Sequence, residues 1–187
     1  MSSITEKQRM LAGELYLAYD PELVKERQRA RDLLREYNAT WTAEIPRRLA
    51  ILSRLFGQIG PRVEIEPPFR CDYGYNIFAG DGLYMNFGCV VLDCAPVHIG
   101  ENVLFGPYVQ LLAADHPRDP QLRRGGRELA APIRIGDDVW IGGGAIFCPG
   151  VSVGDGTTIG AGSVVISDIP ARVVAAGNPC RVLRTLD

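Results

Sequence analysis

The stretch "IRIGDDVWIGGGAIFCPGVSVGDGTTIGAGSVV", Ile133–Val165, carries one short phrase several times over. An aliphatic or aromatic residue returns at Ile135, Ile141, Phe147, Val153, Ile159 and Val165. Glycine follows directly at Gly136, Gly142, Gly154 and Gly160. A small or β-branched residue stands four places after the apolar one, at Val139, Ala145, Val151, Thr157 and Ser163. A short β-branched run followed by a turn is a strand and a corner. Repeated every six residues, it winds the chain into a solenoid in which like side chains stack coil upon coil. Three hexads close one triangular coil. Coils then lie about 4.8 Å apart, and residues 60–170 make roughly six of them, a prism about 29 Å long. The glycines are expected to supply the positive φ of each corner.

The same frame runs back through Ile99 and Phe105 to Leu111, and less regularly through Ala79, Met85 and Val91, with a two-residue offset between Val91 and Ile99. It breaks at "LLAADHPRDP", Leu111–Pro120. From Leu111 to Ile135 is 24 residues, so the repeat resumes in phase. Residues 112–132, rich in proline and arginine, read as a polar loop extruded from a continuing wall, and long loops on rigid scaffolds often carry function. One of only two histidines, His116, sits at its root before Pro117. The proline holds the preceding backbone extended, and imidazole is the natural base near neutral pH.

Residues 1–58 read differently, as a helical unit. "ITEKQRMLAGELYLAY" sets Ile4, Met10, Leu11, Leu15 and Leu17 along one side. A second helix opens with Asp20 as N-cap and Pro21 in its first turn, and closes near Asn38 as a left-handed stop. A third spaces Ile45, Leu49, Leu52 and Phe56 and ends at Gly57. Residues 59–187 form the repeat domain and its tail.

Composition excludes several classes. Net charge is −2, which points neither to nucleic acid nor to an acidic membrane. No apolar run approaches a membrane span, and the N-terminus lacks a secretory h-region. Five cysteines without C-x-x-C spacing fit a reducing cytoplasm. There is no nucleophile elbow, no Walker loop and no three-histidine zinc set, so no metal is expected.

"LAGELYLAYDPEL", "PPFRCDYGYNI", "VLDCAPVHIGENVLFGPYVQL", "DHPRDP" and "AAGNPCRVLR", around the hexads, resemble the maltose and galactoside O-acetyltransferases, which include nodulation acetyltransferases. The resemblance spans nearly the whole chain. It implies a mainly β fold, a left-handed parallel β-helix, and a homotrimer with active sites between subunits. It implies acetyl-CoA as co-substrate and a sugar hydroxyl as acceptor. His116 then matches the general base, Asn86 a residue that positions the acceptor, and the Gly143 amide an oxyanion donor. Gly143, Gly144, Ala161 and Gly162 would line the pantetheine arm, with Arg181 and Arg184 near the nucleotide end. Ser167 stands where a lysine near the coenzyme is frequent. Asp72 and Asp20 align near the acceptor, and Trp140 either walls the site or simply faces outward.

Phe78, Ala79 and Gly88 depart from the family pattern close to the acceptor side. They leave open a different acceptor, such as a xenobiotic or amino sugar. A non-catalytic β-helical scaffold is the reading from another class; His116 and Asn86 beside "WIGGG" speak against it.

Overall fold

The computed structural model describes residues 4–187. A parallel β-helix carries a helical cap at its N-terminal end, and one hydrophobic core runs from Met10 to Cys180.

The first face of the prism stacks Ile59, Ala79, Ile99, Ile135 and Val153 in parallel register. The second stacks Ile65, Met85, Phe105, Ile141 and Ile159. The third stacks Cys71, Val91, Leu111, Phe147 and Val165. A partial sixth coil follows through Ile169 and Ala175. The repeat therefore begins one coil earlier than its clearest members suggest, at Ile59. Two offsets, after Cys71 and after Val91, lengthen the early coils where the chain turns from the third face to the first.

The corners use glycine in two ways, and this corrects the sequence expectation. Gly136, Gly142, Gly154 and Gly160 do not carry the positive φ. They are glycine because the next coil passes too close: a Cβ on Gly142 would stand 2.4 Å from the Ala161 nitrogen. The left-handed residue falls two places later, at Gly144 and Gly162 and also at Asn102, Tyr108, Asp138 and Arg172. Steric exclusion, rather than backbone freedom, fixes the glycine that follows each apolar residue.

Helix α1 (Glu6–Leu11) starts at a Thr5–Gln8 capping box and buries Met10. It is shorter than the periodicity suggested. The chain leaves it at Gly13, and Tyr16–Leu17 is a strand pairing with Arg127–Ala130. Leu15 and Leu17 thus share no helical face, and Ile4 and Leu11 are exposed. Helix α2 (Pro21–Asn38) is capped by Asp20, which accepts the Glu22 N–H at 3.0 Å. Its stop is not left-handed: Ala39 caps it in the right-handed region. Asn38 is instead a strap to the prism, donating to the Phe69 carbonyl at 3.0 Å and accepting the Phe69 N–H at 2.9 Å. Helix α3 (Ile45–Leu55) buries Ile51, Leu52 and Leu55, while Ile45 stays exposed.

Candidate active site

Two edges of the prism hold nearly all the candidate residues. The second edge, where the second face turns into the third, stacks Asn86, Gly106, Gly142 and Gly160 in successive coils, with Ala176 beyond. Asn86 and Gly143 are two coils apart, about 10 Å at the interstrand spacing. On the first edge the corresponding corner amides are satisfied by carboxylates: Asp137 accepts the Glu101 N–H at 2.8 Å, and Asp155 accepts that of Asp137 at 2.9 Å. The second edge has no such row. Asn86 turns its own carbonyl oxygen to the Phe87 N–H at 2.8 Å, and Pro107 has no N–H. The Gly143 and Ala161 amides meet no acceptor among the described residues. Nothing lies within 4 Å of a Cβ built on Gly144 or Gly162. The result is an open corner with two free donors, Gly143 and Ala161, and space beside them.

The coils end at a hairpin, Val173–Ala176 with Arg181–Thr185, that pairs Ala176 with Arg181 and Val174 with Arg184. Both arginines are exposed. Trp140 projects from the outer side of the second face, 56% exposed, between Leu104 and Thr158. Phe87 and Tyr108, ring centroids 5.7 Å apart, add an exposed aromatic pair at the same edge.

The third edge, between the third face and the first, is irregular in every early coil. Here the loop leaves the wall, and it is more ordered than a bare extrusion. Ala114–Asp115 pairs with Arg127–Ala130, which pairs in turn with Tyr16–Leu17, and a short helix α4 (Pro120–Arg124) forms the tip. His116 follows the strand directly and is exposed, while Pro117 behind it is buried. The His116 backbone N–H is tied to the Asp115 carboxylate at 2.7 Å. The backbone carrying the imidazole is thus held on three sides: by a strand, an Asx-type bond and a proline.

Below the loop root, Asp72 lines a cavity of about 230 Å³ with Tyr19, Arg27, Arg31, Cys94 and Glu128. Burial pushes the Asp72 carboxyl above the usual carboxylate range, with the Cys94 thiol donating at 3.5 Å pulling the other way. Asp93, fully buried, builds the turn that presents Asp72. It accepts the N–H groups of Asp72 at 3.0 Å, Tyr73 at 2.9 Å and Asn76 at 3.3 Å. Burial raises its carboxyl to about 6, because these amides offset only part of the desolvation.

The structure therefore gathers Asn86, Gly143, Gly144, Ala161 and Gly162 on the second edge, with the hairpin of Arg181 and Arg184 at its end. It gathers His116 and Asp72 on the third. Ser167, two residues past Val165, is exposed and also stands on the third edge, away from the other coenzyme candidates. Asp20 does not line the cavity; its carboxylate is used as the α2 cap. Within one chain the two sets occupy different corners of the triangle. Arg27, Arg31, Cys94, Glu128 and Asp93 were not singled out from sequence. No local sequence pattern marks any of them.

Similarity to known proteins covers both the N-terminal cap and the repeats. Residues 9–60 match the maltose acetyltransferase hexapeptide capping motif, and residues 132–167 match six bacterial transferase hexapeptide repeats. Nodulation protein L of Rhizobium meliloti is 48% identical over 95% of this chain and 97% of its own length. A crystal structure of a maltose O-acetyltransferase from Clostridium difficile is 48% identical with a TM-score of 0.97, covering 100% of both chains. A galactoside acetyltransferase in complex with coenzyme A is 39% identical with a TM-score of 0.95, over 99% of this chain and 92% of that one.

Proposed function

This chain belongs to the family of maltose and galactoside O-acetyltransferases, and on that footing we propose that it moves an acetyl group from acetyl-CoA to a sugar hydroxyl. The observation that carries the reading is the floor of the second edge. Its unpaired Gly143 and Ala161 amides and the open space at Gly144 and Gly162 suit a pantetheine arm lying along the corner. The exposed Arg181 and Arg184 suit the phosphates of the nucleotide end, since guanidinium forks match phosphate oxygens.

The chemistry then divides between the two edges. His116 takes the proton from the acceptor hydroxyl as that oxygen attacks the thioester carbonyl. The Gly143 N–H donates to the oxyanion of the tetrahedral intermediate, a contribution of about 3 kcal/mol for a fixed donor of this kind. Collapse of the intermediate expels the coenzyme thiolate, and the proton held by His116 returns to the sulfur. Asn86 positions the acceptor, and Asp72 accepts from one of its hydroxyls.

Base and oxyanion donor stand on different edges of one chain, so the site is completed by a second copy. The second edge of one subunit meets the third edge of its neighbour. A closed ring of three such contacts gives a homotrimer with three equivalent sites. The placement of Ser167 on the third edge supports this arrangement, since it brings that residue to a coenzyme bound on the neighbour's second edge. The exposed Phe87, Tyr108, Leu104 and Trp140 supply apolar surface for the contact. No helix among the described residues is long and apolar enough to cross a membrane. Five unpaired cysteines fit the cytoplasm.

The test follows thiol release from acetyl-CoA with a panel of mono- and oligosaccharides, and with amino sugars and aminoglycosides beside them. Turnover with neutral or substituted sugars at a hydroxyl is expected. His116→Ala should lower kcat by about 10²–10⁴ with an unchanged melting temperature. Turnover restricted to amine acceptors would replace the sugar hydroxyl, and wild-type turnover in the variant would remove His116 as the base.

A further inference from the structure

One further cavity lies apart from both the second edge and the acceptor cavity just described. It measures about 500 Å³ and opens between helix α2 and the first coil of the third face, lined by Arg31, Leu34, Arg35, Asn38 and Arg70. The helix contributes positions 31, 34, 35 and 38, which share one face. Arg70 comes from the opposite wall, where its strand pairs with Val90.

Close ion pairs are few in this cavity, although Arg31 also acts on the Asp72 carboxylate of the adjoining cavity. Arg31 and Arg70 have no carboxylate within 4.0 Å among the described residues. Arg35 has only Asp32, at 3.3 Å, and those side chains are 77% and 56% exposed, a surface pair of little worth. Asn38 is committed to the Phe69 backbone. All three arginines are exposed, and guanidinium groups that converge on one concavity can share an oxyanion whose planar or tetrahedral oxygens match their paired donors. Coenzyme phosphates are remote from it. The cavity abuts the first coil, whereas the Arg181 hairpin closes the sixth, about 24 Å away at the interstrand spacing.

Arg31 lines this cavity and the Asp72 cavity alike, so the two are neighbours across one side chain. We infer that the Arg31–Arg35–Arg70 cavity is an anion subsite of the acceptor site, and that the acceptor is a sugar bearing a phosphate or carboxylate group. The identity of the ligand as an acceptor rests on the acetyl-transfer reading; the anion site itself does not.

Two measurements separate those claims. In the first, kcat/KM is compared for glucose, glucose 6-phosphate and glucuronate in the wild type and in the double variant Arg35→Ala/Arg70→Ala. An anionic acceptor should be preferred by about tenfold or more, the scale of a charge-assisted contact, and the ratio should fall towards one in the double variant. Equal use of neutral and anionic sugars, or a preference that survives the double variant, overturns the inference. In the second, calorimetric titration with the same sugars and with inorganic phosphate needs no turnover. Glucose 6-phosphate should bind more tightly than glucose and more tightly than inorganic phosphate, and the double variant should lose that margin while keeping its melting temperature. If the chain acetylates none of these sugars yet shows this binding pattern, the anion site stands and its role as an acceptor subsite falls. Absence of any margin over glucose, or inorganic phosphate binding as tightly as the sugar phosphate, overturns the subsite itself.

Discussion

The second and third edges of the prism are built from the same repeat and end as opposites. The second edge keeps strict register from Asn86 to Gly160, and its chemistry is backbone: free amides over glycine. The third edge breaks register after Cys71, Val91 and Leu111, and its chemistry is side chain: Asp72, Asp93 and His116. A regular solenoid can offer a row of donors at fixed spacing, as a long extended cofactor arm requires. It cannot aim a base or bury a carboxylate without leaving the repeat. The division of labour follows from that limit.

The largest effect is expected where regularity on the second edge is spoiled at chosen points. Gly142→Ala forces a Cβ to 2.4 Å from the Ala161 nitrogen and should destabilise the protein by about 3 kcal/mol or more in denaturant unfolding. Gly144→Ala, two residues later, meets nothing within 4 Å and carries only the cost of a positive φ, about 1–2 kcal/mol. Equal losses at the two sites would contradict the separation of close approach from backbone freedom.

That separation is also what could not be read from the sequence. The hexads, the three-sided coil and the in-phase return after the loop were legible, because apolar residues at a period of six allow few other folds. The reason for each glycine was not, because steric contact between coils depends on register in space. The order within the loop was equally hidden. Tyr16 and Glu128 pair across 112 residues, and nothing near either announces the other. On the candidate site, His116, Asn86 and the small corner residues stood out as breaks or repeats. Arg27, Arg31 and Glu128 looked like ordinary surface charge until the fold brought them round Asp72.

The third edge can be probed through Asp93. Its folded carboxyl lies at about 6, above the value near 3.9 of an unfolded chain. The folded state therefore holds a proton between about pH 4 and pH 6 that the unfolded state has released. Its contribution to stability is fully present below about pH 4 and is lost as pH rises through 6, by up to about 3 kcal/mol. The raised Asp72 carboxyl acts in the same sense. Asp93→Asn should flatten this part of the stability profile, measured by urea unfolding at several pH values. An unchanged slope would place the proton elsewhere.

A smaller effect is expected where the edges meet. Ser167→Lys adds a cation on the third edge, where the proposed assembly brings the neighbour's coenzyme, and should lower the KM for acetyl-CoA by a few fold, roughly 1 kcal/mol or less for an exposed pair, with kcat unchanged. No change in KM would remove Ser167 from the coenzyme site.

In the proposed assembly each active site joins the third edge of one chain to the second edge of another. Complementation tests it most directly. His116→Ala removes the base from the third edge, and Ala161→Trp fills the groove on the second; each variant alone should be inactive. Unfolded together in equal amounts and refolded, they should regain acetyl transfer at about a quarter of the sites, because random assembly pairs an intact third edge with an intact second edge that often. No recovery in the mixture, with both variants folded and co-assembled, would place the whole site within one chain and contradict the account.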